Sequence, residues 1–469
     1  MTTTSIEDSV PIKIRKRSGI IVGFDQDRVT DAIWKAAQSV GGNDRSVANK
    51  LSIQVRNLIL DKHGYDTILT VEHIQDVVER VLIDNGHART AKSYILYRQK
   101  RAEIREEKRK ILEKEDVDEV DKVFDPNALR VLKARYLRKD EKGKLKETPR
   151  ELFTRVAVHV TIPSILYDGR IFDISANQPE HPEEEFNPNE LEDTVSIGEY
   201  SLNQYHLQGV KRIYDRFNGD GKIRVTWTAF LNMLKEGEFN NYEDEVKQYY
   251  RIMVEKSFMP NTPAIANFGN PLGMGSACFV MGVEDNMESI METLKRTAIV
   301  FKSGGGMGYN FSKLRPEGDY VSSTSGVASG PISFMKLFDT MTEVIKQGGI
   351  RRGANMGILN INHPDIEKFI KAKSGNKALK NFNISVLITP DFWEYYERNE
   401  SYPLVNPRNG EVDRKVNPRM LFDMIVFQAW ESAEPGVIFY DHVNDTNPLF
   451  ESLGPIVTTN PCGEVLLYP

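Results

Sequence analysis

The sequence predicts an α/β protein whose N-terminal half is mostly helical. Two observations carry the prediction. Up to about Pro260, apolar residues recur at helical spacing. After Pro260, glycines become frequent and short apolar strands alternate with helices. A third observation bounds it: no repeat of roughly 20–50 residues recurs along the chain, so a solenoid is excluded. At 469 residues, a prior of ~100–200 residues per domain gives about two to four domains.

Residues 13–103 form the first expected unit. Ile12-Lys13-Ile14 and Gly19-Ile20-Ile21-Val22 read as short strands around a turn at Arg17-Ser18-Gly19. Asp27 is the expected cap of the first helix, with Val29, Ile33, Ala36 and Ala37 on its apolar face. Val47, Leu51, Val55, Leu58 and Ile59 mark a second helix. Thr70 caps a third that carries Ile74, Val77, Val78, Val81 and Leu82 and stops at Gly86. Ala91, Tyr94, Ile95 and Tyr97 open the last.

Residues 104–125 are mostly charged and are expected to be a helical linker between domains. Residues 126–260 return to helical spacing, with Leu129, Leu132, Phe153, Val156 and Val160 as core candidates. Inside this region, 174–222 is polar and acidic and is expected to be a surface insertion with little core of its own. A further helix is expected over roughly 226–258. Residues 261–469 carry the strand–helix alternation: Ala277–Val283, Met287–Phe301, Gly308–Phe311, Ile332–Lys346, Met356–Ile361, Ile384–Ile388 and Pro418–Trp430.

Composition excludes several classes. Hydrophobic content of 40% supplies sizeable cores, and a net charge of −6 argues against a coat for nucleic acid. Two cysteines rule out a disulfide scaffold, and no CxxC or HExxH pattern supplies a metal site. The N-terminus has no apolar signal core, and no apolar run reaches the ~18 residues of a membrane span. The expectation is a cytoplasmic protein with reduced thiols, no membrane and no nucleic-acid partner.

The most informative string is Thr459-Asn460-Pro461-Cys462-Gly463-Glu464. In an extended segment, residues two apart share a face, so Asn460, Cys462 and Glu464 would form one array of amide, thiol and carboxylate. A lone cysteine is usually a buried core residue, but an acid/base group and an amide on the same face favour catalysis. The second cysteine, Cys278, stands in Ala277-Cys278-Phe279-Val280 and by itself reads as strand core. Asn261-Thr262-Pro263 reads as a helix-to-strand turn. Ser303-Gly304-Gly305-Gly306-Met307-Gly308 lacks a Walker lysine; it permits close backbone approach to phosphate or ribose, or is simply a flexible turn. Gly348-Gly349-Ile350-Arg351-Arg352-Gly353 joins hinge glycines to two guanidinium groups, and a basic surface turn is the plain alternative.

Five strings together resemble the catalytic subunit of ribonucleotide reductase: Pro260-Asn261-Thr262-Pro263, Ser276-Ala277-Cys278, Ser303-Gly304-Gly305-Gly306, Gly348-Gly349-Ile350-Arg351-Arg352-Gly353-Ala354-Asn355-Met356, and Asn460-Pro461-Cys462-Gly463-Glu464. The variants present resemble the adenosylcobalamin-dependent class. The N-terminal unit resembles an ATP-cone, an allosteric module.

The resemblance implies that Cys462 is a thiyl-radical site taking the 3′ hydrogen of a ribonucleotide, that Glu464 is the general base for the 3′-hydroxyl, and that Asn460 holds the ribose hydroxyls. It makes Cys278 one half of a redox pair that is recharged by a thioredoxin-like donor. It places Thr262, Ala277, Ser303, Gly304 and Gly305 at the substrate, and Asp285, Arg315 and Arg351 at a deoxynucleoside triphosphate effector. Lys16, Arg17 and Arg28 would face ATP or dATP in the cone.

The family fold is a ten-stranded α/β barrel with the radical loop at its centre. The expectation is the first half of that barrel, inactive as this chain alone and completed by a second polypeptide or by splicing. Two other readings stay open: a reductase large subunit served by a separate metal-radical subunit, and a non-enzymatic ATP-sensing regulator with a degenerate barrel.

Overall fold

The computed structural model describes residues 12–17, 19–64, 67–321, 325–345, 353–376 and 378–469. They fall into two compact units. One comprises residues up to Thr154 together with Tyr250–Ser257; the other comprises Arg155–Tyr249 and Phe258–Pro469.

In the first unit, β1 (Lys13–Arg15) pairs antiparallel with β2 (Ile21–Gly23), Ile14 opposite Val22. Strand β3 (Ile68–Thr70) adds in parallel on the other side of β1. Four helices follow the expected apolar spacing: α1 (Gln26–Gln38), α2 (Arg45–His63), α3 (Val71–Asp84) and α4 (Ala88–Leu112). Their inward residues, among them Ile33, Val55, Ile59, Val78 and Leu82, make one core.

Asp25, not Asp27, caps α1, its carboxylate accepting from the Arg28 N–H at 3.2 Å. Asp27 sits in the first turn, where its charge complements the helix dipole. Thr70 caps α3 as expected, accepting from the His73 N–H. Helix α4 runs unbroken to Leu112 and ends on Glu113 in the left-handed conformation. Two short helices follow, α5 (Glu119–Val123) and α6 (Pro126–Arg135), the latter starting on a proline that Asp125 caps.

The second unit opens with the residues of α7 (Pro149–Leu166) from Arg155 onward. The expectation of little core over 174–222 fails from residue 195. Val195, Ile197, Leu202, Leu207, Val210 and Tyr214 are all buried, and Gln204–Gly219 is an amphipathic helix, α8. The acidic residues concentrated at 183–185 hid a normal 3.6-residue period downstream. The helix expected over 226–258 is interrupted: Trp227–Lys235 ends before Gly237, and a second helix runs Glu243–Val254.

The sheet of this unit has five parallel strands in sequence order: β4 (Cys278–Gly282), β5 (Gly306–Asn310), β6 (Asn355–Asn360), β7 (Phe382–Ile388) and β8 (Gly436–Phe439). Helices α9 (Met287–Lys302), α10 (Gly330–Val344) and α11 (Pro418–Ser432) lie in the crossovers. One face of the sheet is packed by large side chains, including Tyr309, Phe311, Phe338, Phe369, Phe382 and Phe392, all fully buried. At ~1.5–3 kcal/mol for each fully buried side chain of this size, that face dominates the burial energy.

The other face is lighter. Paired residues of parallel strands point the same way, so Val280, Gly308, Met356 and Asn383 form one row across it, and Cys278 sits beside Gly306 in the next. Its apolar cluster is small, Met356, Ile358 and Leu387 with Val457 packed against it. This is the face left available to a site.

Candidate active site and effector-binding cavity

A hairpin near the end of the sequence lies on that light face. Strands β9 (Thr458–Thr459) and β10 (Leu466–Leu467) pair antiparallel, and residues 460–465 make the loop. The Gly463 N–H donates to the Asn460 carbonyl at 3.1 Å, and Gly463 takes φ +81°, a conformation that suits glycine. Asn460, Cys462 and Glu464 are therefore in a tight turn, not on an extended strand, and the one-face argument does not hold. Asn460 is completely buried, whereas Cys462 and Glu464 are exposed.

The turn is fixed by amides. The Asn460 Oδ1 accepts from the Val465 N–H at 3.0 Å, and its Nδ2 donates to the Cys278 Sγ at 3.3 Å. Asn383 on β7 donates to the Pro461 carbonyl at 2.7 Å, and Asn310 at the end of β5 donates to the Val457 carbonyl at 2.9 Å. The glycines of β5 make room for the hairpin. A Cβ on Gly308 would lie 1.7 Å from the Thr459 carbonyl oxygen, and one on Gly306 would lie 2.6 Å from the Pro461 ring. The close approach expected at the glycine string is thus made, at Gly306 and Gly308, by the chain's own cysteine-bearing hairpin.

Of the other expected substrate residues, Ala277 directly precedes β4, and Ser303, Gly304 and Gly305 directly precede β5. The Ala277 carbonyl accepts from the Gly306 N–H at 2.7 Å. Ser303 closes α9, its hydroxyl donating to the Val300 carbonyl at 2.8 Å, and Gly304 and Gly305 lead into β5. Thr262 is the first residue of a short helix, Thr262–Asn267, capped by Asn261, rather than part of a turn into a strand. Asn310 and Asn383 were missed in the sequence. Their only signal is an amide on a mostly apolar strand.

Asp285 and Arg315 do meet. The Arg315 Nε donates to the Asp285 Oδ2 at 2.7 Å, and its Nη1 donates to the Tyr320 carbonyl. Beside them Arg408 grips Asp319 through two bonds of 2.7 and 2.9 Å. The Arg408 hydrogen bond holds the Asp319 carboxyl far below the usual carboxylate range, against the opposing effect of partial burial. Arg351 lies outside the described residues.

The first unit holds a cavity of about 710 Å³ between α1 and α4. Arg17 and Arg28 line it, together with Lys35, Arg98, Arg101, Arg105, Lys108 and Lys122, against only Asp31 and Glu72 among acids. Lys16 is exposed on the β1–β2 turn and does not line it. Arg17 is bound to Glu72 at 2.5 Å, and Arg98 to Asp76 and Glu79. Arg101 and Arg105 make no direct salt bridge among the described residues, although Arg105 feels the Glu72 carboxylate. Burial, then the neighbouring Arg17, pushes the Arg105 pKa down. Burial, then Arg101, does the same to Lys108, whose Nζ donates to the Asp121 and Lys122 carbonyls at 2.8 and 3.2 Å. Such a concentration of like charge is built for a polyanion. The signal was available: residues 98, 101, 105 and 108 recur at 3-4-3 spacing, one face of a helix.

Profiles for the ATP cone domain, the ribonucleotide reductase all-alpha domain and the ribonucleotide reductase barrel domain match residues 12–103, 122–273 and 276–469. The chain belongs to the ribonucleotide reductase family. It is 44% identical to the vitamin B12-dependent ribonucleoside-diphosphate reductase of Thermoplasma acidophilum, over 97% of this chain and 57% of the relative. It is 34% identical to the protein of that name from Mycobacterium tuberculosis, over 100% of this chain and 55% of the relative. A ribonucleoside-diphosphate reductase subunit alpha from Chlamydia pneumoniae is more distant, at 23% identity. The chain thus spans little more than half the length of the curated relatives it matches. No helix among the described residues is long and apolar enough to cross a membrane.

Proposed function

We propose that this chain supplies the radical half of a ribonucleotide reductase site that converts ribonucleotides to 2′-deoxyribonucleotides, with ATP or dATP bound in the cone cavity. The observation that carries the reading is the 3.3 Å contact from the Asn460 amide to the Cys278 thiol, which joins two cysteine-bearing segments 182 residues apart.

In this reading the Cys462 thiyl takes the 3′ hydrogen atom of the ribose, and Glu464 takes the 3′-hydroxyl proton. Asn460 orients the ribose hydroxyls. The 2′ oxygen leaves as water. Cys278 and a partner thiol outside this sequence supply two electrons and become a disulfide, and the hydrogen atom returns from Cys462 to C3′. A thioredoxin-like dithiol then reduces the disulfide.

The relatives' printed names favour adenosylcobalamin as the radical source. The residues present fit it: Cys462 is exposed at a hairpin tip beside Gly463, where a bulky group can reach the sulfur. The chemistry that adenosylcobalamin supplies when bound is homolytic removal of a hydrogen atom from a thiol. The chain's own residues hold that thiol in place and keep Asn460 dry beneath it. Asp285 with Arg315, and the loop bearing Arg351, are proposed to hold a deoxynucleoside triphosphate effector.

Deoxynucleotide formation is measured with this chain and the remaining length of the enzyme, with and without adenosylcobalamin. The expected result is cofactor-dependent product that disappears in Cys462→Ser. In Cys278→Ser, release of tritium from C3′ persists while deoxynucleotide does not accumulate. Activity that requires a separate metal-radical subunit and ignores adenosylcobalamin overturns the cofactor assignment. Full activity of Cys462→Ala overturns the radical site.

A further inference from the structure

The second unit contains a cavity of about 420 Å³ that the reductase reading does not use. It lies between α7, α8 and the loop Phe268–Gly273, and its size is within the ~300–1,000 Å³ of small-molecule sites. Tyr205, Gln208, Gly209, Arg212 and Ile213 supply one wall, at the spacing of a single face of α8.

The facing wall is aromatic. His159 on α7 stacks on Phe268, ring centroids 4.4 Å apart at 23°. The His159 Nδ1 accepts from the Gly269 N–H at 3.2 Å, so the neutral ring carries its proton on Nε2. That Nε2–H has no hydrogen-bond partner among the described residues. Pro163, one turn on, has no N–H to give the His159 carbonyl.

The polar groups of the α8 face are also uncommitted. No side-chain partner binds the Tyr205 hydroxyl, the Gln208 amide or the Arg212 guanidinium among the described residues. Arg212 is exposed on that face and makes no ion pair among the described residues, whereas nearby Lys211 is engaged with Asp215. An apolar chamber with a stacked aromatic wall, converging donors and one unpaired guanidinium matches a specific kind of ligand.

We propose that this cavity binds a small flat aromatic anion. The ring packs along the His159–Phe268 wall, the carboxylate or phosphate pairs with Arg212, and the His159 Nε2–H and the Gln208 amide donate to acceptors on the ligand. This site is separate from the cysteine-bearing hairpin and does not depend on the reductase reading.

The test is calorimetric titration of the 469-residue chain with 2-naphthoate in one arm and adenosine 5′-monophosphate in the other. Arg212→Gln removes the charge at an exposed position, and Gln208→Trp fills the chamber. Circular dichroism and thermal melting confirm that both variants are folded. The expected result is a Kd below about 1 mM for at least one probe, weakened tenfold or more by each variant. Binding of naphthoate alone assigns an aromatic carboxylate, and binding of the nucleotide alone assigns a nucleoside phosphate. No binding of either probe, or binding unchanged in both variants, overturns the proposal.

Discussion

Gly308→Ala isolates the fit between the sheet and the cysteine-bearing hairpin. Gly308 does not occupy the left-handed region, so alanine adds no backbone strain; it adds one methyl group. That methyl would sit 1.7 Å from the Thr459 carbonyl oxygen and 2.9 Å from its carbon, both backbone atoms with no rotamer of escape. Ordinary contact begins near 3.4 Å, so Thr459 must retreat by about 1.7 Å. A shift of that size breaks the 3.3 Å bond from Asn460 to Cys278 and the 2.7 Å bond from Asn383 to Pro461.

Overpacking of this kind costs ~1–3 kcal/mol, and each lost hydrogen bond adds ~0.5–1.5 kcal/mol. The hairpin rather than the core should absorb the cost, because the core lies on the opposite face of β5. The expected result is tenfold or faster exchange of the Val465 amide and faster alkylation of Cys278, read by mass spectrometry, with little change in the melting of the sheet. Gly282→Ala is the control: its methyl would meet only the Pro469 side chain at 3.8 Å, and its effect should stay within ~0.5 kcal/mol. If Gly308→Ala leaves exchange and alkylation at wild-type rates, the hairpin does not rest on β5 and the description of the site fails.

Three further outcomes are expected. Asn383→Ala should release the Pro461 carbonyl and cost ~0.5–1.5 kcal/mol, visible as faster amide exchange over 460–465; unchanged exchange would show that the clamp is idle. Arg101→Glu should weaken ATP binding to the cone cavity by tenfold or more and flatten its salt dependence, whereas Lys16→Ala should change it little; the reverse order, measured by calorimetry, contradicts the cavity assignment.

Burial, then the Arg155 charge, lowers the His159 pKa from 6.5 to about 4. Well above pH 6.5 the ring is neutral folded and unfolded, so its titration does not change stability there. As pH falls from 6.5 toward 4 the unfolded chain takes up a proton that the folded chain refuses, and up to about 3 kcal/mol of stability is lost. The urea midpoint of the wild type should therefore fall relative to that of His159→Gln as pH is lowered from 7 to 4.5; a constant difference across that range refutes the assignment.

Much of the architecture was legible because it rests on local periodicity. The strands around residues 278, 308, 356 and 384, and the helices beginning near 287, 332 and 418, follow the expected alternation with boundaries moved by a few residues. The cap at Thr70 was legible for the same reason, since a cap is set within four residues. Expectation failed where charge masked pattern, as in the buried helix Gln204–Gly219. It also failed where a local rule was taken for geometry. Residues two apart share a face only on an extended strand, and Gly463 bends this segment into a turn instead.

The succession of strands and helices along the chain, the helical N-terminal half and the chemistry-bearing residue types were determined by the sequence by itself, because apolar period and turn residues act over a few neighbours. Only the tertiary structure decided what those residues touch. It brought Asn460 to Cys278, set Gly308 beneath Thr459, and turned four cations on α4 toward Arg17 and Arg28. Those contacts join segments tens to nearly two hundred residues apart, and they arise from which face of a sheet or helix is left unpacked. That choice is made by burial summed over the whole core, which no short stretch of sequence contains.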